Sequence, residues 1–93
     1  MIVGALEVDI KIPGANSLKE KRHVLRSLKD NIRNKFNVAV SEVGHQDMWQ
    51  RAAIGIAGVS SDRLFIEKEM ARALQYIESR GDIEVIDASL EFI

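Results

Sequence analysis

The side chains best suited to chemistry are concentrated in one short polar segment, residues 42–51. They are Glu42, His45, Gln46, Asp47, Trp49, Gln50 and Arg51. His45 and Asp47 could form an acid–base dyad, but covalent catalysis also requires a nucleophile within hydrogen-bonding reach of the base. The nearest hydroxyl, on Ser41, lies on the opposite arm of the predicted hairpin, and nothing in the sequence directs it towards His45. We therefore expect no catalytic residues and no enzymatic activity.

The same segment has two other interpretations besides catalysis. Glu42, His45 and Asp47 offer three metal ligands, but no second histidine lies nearby and the chain has no cysteine, so we predict no metal site and no cofactor. In a purely structural turn, Asp47 would cap backbone amides and Trp49 would cover the base of the hairpin. Glu42 would then pair with Arg51 across the strands. A loop that makes specific contacts with a partner is the alternative, and the sequence leaves both open.

A second group of candidates is a row of cations on one predicted helix. It consists of Lys19, Arg22, Arg26, Lys29 and Arg33. Their spacing of three and four residues keeps the side chains in a straight row roughly 20 Å long. Such a row, called the basic row below, can follow a phosphate backbone and release counterions at each contact. We predict that it binds nucleic acid, and an acidic protein surface is the other anionic partner that the charges allow.

The distribution of charge along the chain favours an anionic partner for the basic row. Residues 17–35 hold seven cations and two carboxylates, a formal charge of +5, although the whole chain carries −1. A solvated helix face usually mixes both signs, with glutamate placed four residues before lysine. Lysine and arginine are also good helix formers whose stems cover apolar flanks, so a merely solvated face is the alternative.

The elements that must position these residues follow from hydrophobic periodicity. Residues 2–12 alternate between apolar and polar, which predicts a strand that ends at Pro13. Ser17 and Glu20 match a capping box, in which the hydroxyl accepts from the Glu20 amide and the carboxylate reaches back to the Ser17 amide. Helical spacing then predicts a helix from Leu18 to Asn34.

The second half of the chain repeats the pattern with different residues. A strand over 36–40, a polar turn over 44–47 and a return strand over 49–59 are followed by a second amphipathic helix that stops near Gly81. The last strand alternates to the end of the chain. Its apolar side is predicted to carry Ile86, Ala88, Leu90 and Phe92.

This order of elements predicts an α+β fold, the ferredoxin-like βαββαβ sandwich, with residues 1–93 as a single domain. Right-handed crossovers place both helices on one face of an antiparallel four-stranded sheet, with the first and third strands at its centre. The predicted core contains Leu6, Val8, Leu28, Ile32, Val38, Ile54, Ile56, Leu74 and Ile77.

The other face of the sheet, called the open face below, is predicted to carry small residues. RNA-recognition modules stack bases on aromatic residues of the two central strands, but the outward positions here are Ala5, Glu7, Ala53, Gly55 and Ala57. That mode of binding is therefore excluded. Ala53, Gly55 and Ala57 would allow a second copy to approach closely, which makes them a candidate homodimer face, although an ordinary exposed sheet explains them equally well.

The composition allows one modest core and no membrane span. The chain has 93 residues, 46% of them hydrophobic, and no apolar run long enough to cross a bilayer. Its first residues lack the basic and apolar regions of a signal peptide. We expect a cytoplasmic protein.

Three segments at matching spacing resemble the YlxP-like proteins, a bacterial family of unknown function. They are residues 17–22 (SLKEKR), 36–43 (FNVAVSEV) and 45–52 (HQDMWQRA), and the resemblance extends over essentially the whole chain. Gly44 stands where many members have an acidic residue, and Met48 where leucine is expected. Neither difference weakens the resemblance.

The resemblance implies a ferredoxin-like fold and no established enzymatic activity. Genes of this family commonly lie beside those for translation initiation and ribosome maturation factors, including ribosome-binding factor A, which implies by association a role around the small ribosomal subunit. We predict an accessory protein of translation that binds RNA or the small subunit through the basic row, with the 42–51 segment adding specific contacts. The alternative is a dimeric protein-interaction or small-ligand-binding module that uses the open face.

Overall fold

The computed structural model describes residues 1–93 and confirms the predicted βαββαβ order. The elements are β1 (Ile2–Lys11), α1 (Leu18–Lys35), β2 (Ala39–Gly44), β3 (Arg51–Ser60), α2 (Arg63–Ser79) and β4 (Glu84–Phe92). The four strands form one antiparallel sheet in the order β2-β3-β1-β4, so β1 and β3 are central. Neither helix combines the length and the apolar character that a membrane span requires.

The core is a single apolar cluster between the sheet and the two helices. Alternate residues of β1 and β3, such as Val8 and Ile54, meet the buried stripes of α1 and α2 there. Seven of the nine predicted core residues are buried. Val38 and Leu74 are partly buried and pack against the cluster from its margin.

Both helices begin at side-chain caps, and the sequence predicts the one at Ser17. The Ser17 hydroxyl accepts a hydrogen bond from the Glu20 amide at 3.1 Å, and Asp62 accepts one from the Leu64 amide at 3.0 Å. The hydrogen-bond partner of the Glu20 carboxylate differs from the predicted Ser17 amide. The carboxylate accepts from the backbone amide of Asn16 at 3.0 Å, one residue before the expected partner.

The second strand lies later in the chain than the alternation predicts. Phe36 is the C-cap of α1 and donates its backbone N–H to the Ile32 carbonyl at 2.9 Å, so it belongs to the helix end rather than to a strand. Its ring is buried in the core. The strand therefore begins at Ala39, which moves the following turn into residues 45–50.

A β-bulge changes the register of the last strand. Ile10 pairs with Val85 while Asp9 pairs with Asp87, so Ile86 has no partner on β1. Val85 and Ala88 pack against the core, whereas Ile86 is 44% exposed. The prediction that Ile86 shares the apolar side of β4 is therefore wrong, because simple alternation does not account for the extra residue.

The C-terminal end of α2 is tied to α1 by one arginine. Arg80 donates to Asp82 through two nitrogens at 2.8 and 3.0 Å, and to the Ser27 hydroxyl on α1 at 3.3 Å. The hydrogen bonds with Arg80 lower the pKa of Asp82, and those with Asp82 raise the pKa of Arg80. This contact helps to hold the two helices side by side on the sheet.

Candidate nucleic-acid interface

The loop between β2 and β3 is anchored to α1 by a buried lysine. Lys21 is 1% exposed. Its Nζ lies 2.9 Å from Glu42 Oε2 and donates to the backbone carbonyl of His45 at 2.7 Å. An ammonium group removed from water requires such partners to replace its hydration. Lys21 therefore determines where this loop, residues 45–50, sits relative to the helix.

On the open face, Asp9 of β1 holds the same loop. Arg51 Nη2 donates to Asp9 Oδ2 at 2.7 Å, and His45 Nε2 lies 3.6 Å from Asp9 Oδ1. The predicted pair between Glu42 and Arg51 is therefore wrong. The two side chains lie on opposite faces of the sheet, so Glu42 meets Lys21 and Arg51 meets Asp9.

Gln50 closes the loop through backbone contacts with the segment before α1. Its carbonyl accepts from the Ile12 amide at 3.0 Å, and its side-chain amide donates to the carbonyls of Pro13 and Ala15 at 3.3 and 3.0 Å. His45 has a φ of 58°, in the left-handed region that reverses the chain after β2. The loop is thus a structured turn, but the contacts that hold it are not those that the structural interpretation predicts.

Two loop side chains take no part in that structure. Asp47 caps no backbone amide, and Trp49 is 53% exposed rather than folded over the base of the hairpin. Both are directed to solvent, as is Gln46. The structural roles predicted for Asp47 and Trp49 are therefore wrong, which leaves these side chains available to a partner.

The side chains considered for catalysis and metal binding are not brought together. His45 contacts Asp9 rather than Asp47, and Glu42 is taken up by Lys21. No group of three or more histidine, aspartate or glutamate side chains is arranged to hold a metal ion. The Ser41 hydroxyl donates to the carbonyl of Glu42 at 3.3 Å instead of approaching His45.

The basic row lies on α1 beside the buried stripe of the helix. Lys19, Arg22, Arg26 and Arg33 are exposed, and Lys29 is half-buried. A groove of about 510 Å³ runs between α1 and β2. Its charged lining consists of Arg22, Arg26, Lys29, Asp30, Arg33 and Glu42. Because Lys21 neutralises Glu42, cations dominate the groove.

One member of the basic row is already engaged within the protein. Arg33 Nη2 donates to the backbone carbonyl of Val40 on the edge strand β2 at 3.1 Å, and Nη1 lies 3.5 Å from Asp30 Oδ1. The other four cations form no ion pair. Four cations, rather than the predicted five, are therefore free for an external anion.

Negative charge gathers on the opposite side of the molecule. Glu7, Asp87 and Glu91 are exposed on the open face, on the neighbouring strands β1 and β4. The helical layer around α1 is positive by contrast. A polyanion is therefore attracted to α1 and repelled from the sheet.

The open face contains a shallow groove of about 520 Å³ over its small residues. Gly55 and Ala57 line it together with Ala5, Ala39, Ser41 and Val43. Ala53 differs from the prediction, since it is 7% exposed and lies between Asp9 and Gly44 in the sheet. The candidate dimer face is therefore reduced to Gly55, Ala57 and their neighbours.

The sequence interpretation missed two residues that position the loop, Lys21 and Asp9. Lys21 precedes Leu25 by four residues and Leu28 by seven, a spacing that places it on the buried stripe of α1. That spacing was the available signal for its burial. No comparable signal marked Asp9, because alternation alone does not distinguish one outward-facing residue of a strand from another.

Comparison with known proteins agrees with the resemblance seen in the sequence. Residues 3–90 match the model of a family described as "Protein of unknown function (DUF503)". The chain is 49% identical over 83 residues to the "Uncharacterized protein YlxP" of Bacillus subtilis (strain 168), an alignment that covers 89% of this chain and 90% of that protein.

Proposed function

The chain belongs to the DUF503 family, and we propose that it is a cytoplasmic, non-enzymatic accessory protein of the translation apparatus. It binds RNA, alone or within the small ribosomal subunit, through the basic row on α1. The observation that carries this proposal is the set of four cations without an ion-pair partner on one side of α1. They are Lys19, Arg22, Arg26 and Lys29.

The geometry of the row supports a phosphate backbone as its partner. The four cations follow the helix axis over ten residues, which corresponds to roughly 15 Å. Arg22 and Arg26 add planar guanidinium groups, which can each donate two hydrogen bonds to one phosphate. The neighbouring groove, with a volume of about 510 Å³, is large enough to admit phosphate groups and contains no carboxylate that lacks a cationic partner.

The charge of the opposite surface supports the same orientation. The middle of the open face presents Glu7 and Glu91, and the groove there has no aromatic residue on which a base could stack. Since like charges repel the phosphate backbone, RNA that approaches the molecule is steered towards α1.

Direct binding measurements test the proposal. Fluorescence anisotropy is recorded with labelled fragments of small-subunit RNA and with a random RNA, for the wild type and for the Arg26→Gln/Lys29→Gln variant. Both substitutions keep helix-forming side chains at positions outside the core, so stability should change little. The variant is expected to bind all the RNAs more weakly, because phosphate contacts carry no sequence information.

A matched control separates the position of the charges from their number. Lys68→Gln/Arg72→Gln removes the same charge from exposed positions on α2. The proposal predicts that this variant binds like the wild type. If the two variants lose affinity equally, or if the wild type binds no RNA at low salt, the basic row is not the binding surface.

The groove on the open face supports a second candidate, a dimeric protein-interaction or small-ligand-binding module. Ala57 is exposed there and lies opposite Ala5 and Ala39 on the neighbouring strands, so a second sheet could approach closely. Ala57→Glu would place an unpaired charge in such an interface.

Light scattering tests the dimer directly. If the wild type is dimeric, the mass of Ala57→Glu should fall to that of the monomer, while Gln75→Glu on the exposed side of α2 should leave it unchanged. A wild type that is monomeric at high concentration would exclude self-association through this face.

A further inference from the structure

The exposed tryptophan of the 45–50 loop lines a groove that lies outside the basic row. Trp49, the only tryptophan of the chain, is 53% exposed, and the neighbouring Met48 is 47% exposed. The groove beside it measures about 750 Å³. The residues that line it are Lys11, Pro13, Asp47, Met48, Trp49, Gln50, Arg51 and Glu84.

The Trp49 groove connects with the first cation of the basic row. A neighbouring groove contains Lys19 and His23 of α1 and also Pro13, which is shared with the Trp49 groove. Gln50 ties the two together, since its side chain donates to the carbonyls of Pro13 and Ala15. A strand in contact with Lys19 can therefore reach Trp49 over Pro13, past Glu20 and Asp82, which also line the groove beside Lys19.

The chemistry of the Trp49 groove differs from that of the basic row. Lys11 and Arg51 are balanced there by Asp47 and Glu84, and Arg51 is already paired with Asp9. Such a groove does not attract phosphate strongly. An indole face beside side-chain donors and acceptors suits an uncharged planar group with a polar edge, which is the description of a nucleobase.

The position of the tryptophan is also well defined. The loop that carries it is held from α1 by Lys21, from β1 by Asp9 and from the segment before α1 by Gln50. The backbone of the loop is therefore already in place before a ligand arrives, which reduces the entropy lost on binding.

We propose that Trp49 is the stacking site for one unpaired base of the RNA that the basic row holds. This inference rests on the proposed function and makes it more specific, because it names single-stranded RNA, or RNA with an unpaired end, as the substrate class. The basic row contacts phosphates without regard to base pairing, and Trp49 selects strands whose bases are free to stack.

Because Trp49 is the only tryptophan, its fluorescence reports on this site alone. The wild type is titrated with a single-stranded RNA and with a blunt RNA duplex, and tryptophan emission is followed together with anisotropy of the labelled RNA. The single strand is expected to quench Trp49 as it binds. The duplex is expected to bind through the basic row without quenching.

A matched pair of substitutions tests the stacking itself. Trp49→Leu keeps an apolar side chain but removes the aromatic face, and it should weaken single-strand binding by about five- to 150-fold while leaving duplex binding unchanged. Trp49→Phe restores an aromatic ring and should retain most of the affinity. Denaturation midpoints equal to that of the wild type are expected, since Trp49 lies outside the core.

The outcomes separate this inference from the proposed function. If Trp49→Leu binds single strands like the wild type while Arg26→Gln/Lys29→Gln binds them weakly, the stacking site is wrong and the basic row stands. If no RNA binds at all, both are wrong. If Trp49 emission changes with protein concentration and not with RNA, the loop is a contact between copies of the chain and the inference fails.

Discussion

Replacement of the buried lysine tests how the loop is positioned. Lys21→Met keeps a long unbranched side chain in the same space but removes the ammonium group. That group is 2.9 Å from Glu42 Oε2 and 2.7 Å from the His45 carbonyl. The substitution therefore leaves a partly buried carboxylate and a carbonyl without their partner.

The expected cost follows from the burial of the two partners. Removal of one member of a buried ion pair costs about 3–5 kcal/mol. Glu42 keeps 20% of its side chain exposed, and methionine fills the space of the lysine stem, so the lower end of that range applies. We expect the free energy of unfolding to fall by about 3 kcal/mol, which lowers the melting temperature of a domain of this size by roughly 12–24 °C.

Urea denaturation, followed by circular dichroism, measures this change. Lys19→Met is the matched control, because Lys19 lies on the same helix but is exposed and has no ion-pair partner. It should cost no more than about 0.5 kcal/mol.

A second substitution distinguishes the lost pair from a general effect on packing. Lys21→Met/Glu42→Leu removes both charges and should recover about 2 kcal/mol of the loss, because no unpaired carboxylate remains. The reasoning is refuted if Lys21→Met is as stable as Lys19→Met, or if the double variant is no more stable than Lys21→Met.

Two further predictions concern the core and the contact between the helices. Leu28→Ala should lower the free energy of unfolding by about 2–5 kcal/mol, since Leu28 is fully buried in the central cluster; a smaller change in urea denaturation would contradict that burial. The hydrogen bonds with Arg80 lower the pKa of Asp82, so this contact stabilises the fold fully at pH values above the ordinary aspartate pKa of about 3.9. The stabilisation is lost as the pH falls through the lowered pKa of the folded state. Asp82→Asn should therefore be less stable than the wild type near neutral pH and equally stable in strong acid. The loss of stability should be small, because the Asp82 side chain is 44% exposed. A difference in stability that persists in acid would show that it does not come from the charge of Asp82.

The fold was predictable because local and long-range signals agree. Alternation in β1 and β3 and helical spacing in α1 and α2 each specify one buried face, and the cap at Ser17 marks where α1 begins. The exceptions are local. Phe36 closes α1 instead of opening β2, and the bulge at Ile86 adds a residue that alternation cannot reveal.

The site was predictable only in part, for a physical reason. The basic row follows from spacing within one helix, so its alignment could be inferred. The partners of its members lie on other elements, and the bond from Arg33 to the Val40 carbonyl depends on how α1 packs against β2. The same holds for Lys21 and Glu42, which are separated by 21 positions in the sequence and meet only in the folded chain.

The salt dependence of RNA binding tests the central claim most directly. Anisotropy titrations across a series of salt concentrations give the slope of log affinity against log salt, which counts phosphate contacts. Four free cations predict a slope of about −2.8 to −3.6 for the wild type, for single-stranded and double-stranded RNA respectively. Arg26→Gln/Lys29→Gln should flatten it by about 1.4 to 1.8, and Lys68→Gln/Arg72→Gln should leave it unchanged. A wild type that does not bind at low salt, or a slope that the first variant does not alter, would contradict the assignment of the basic row to phosphate binding.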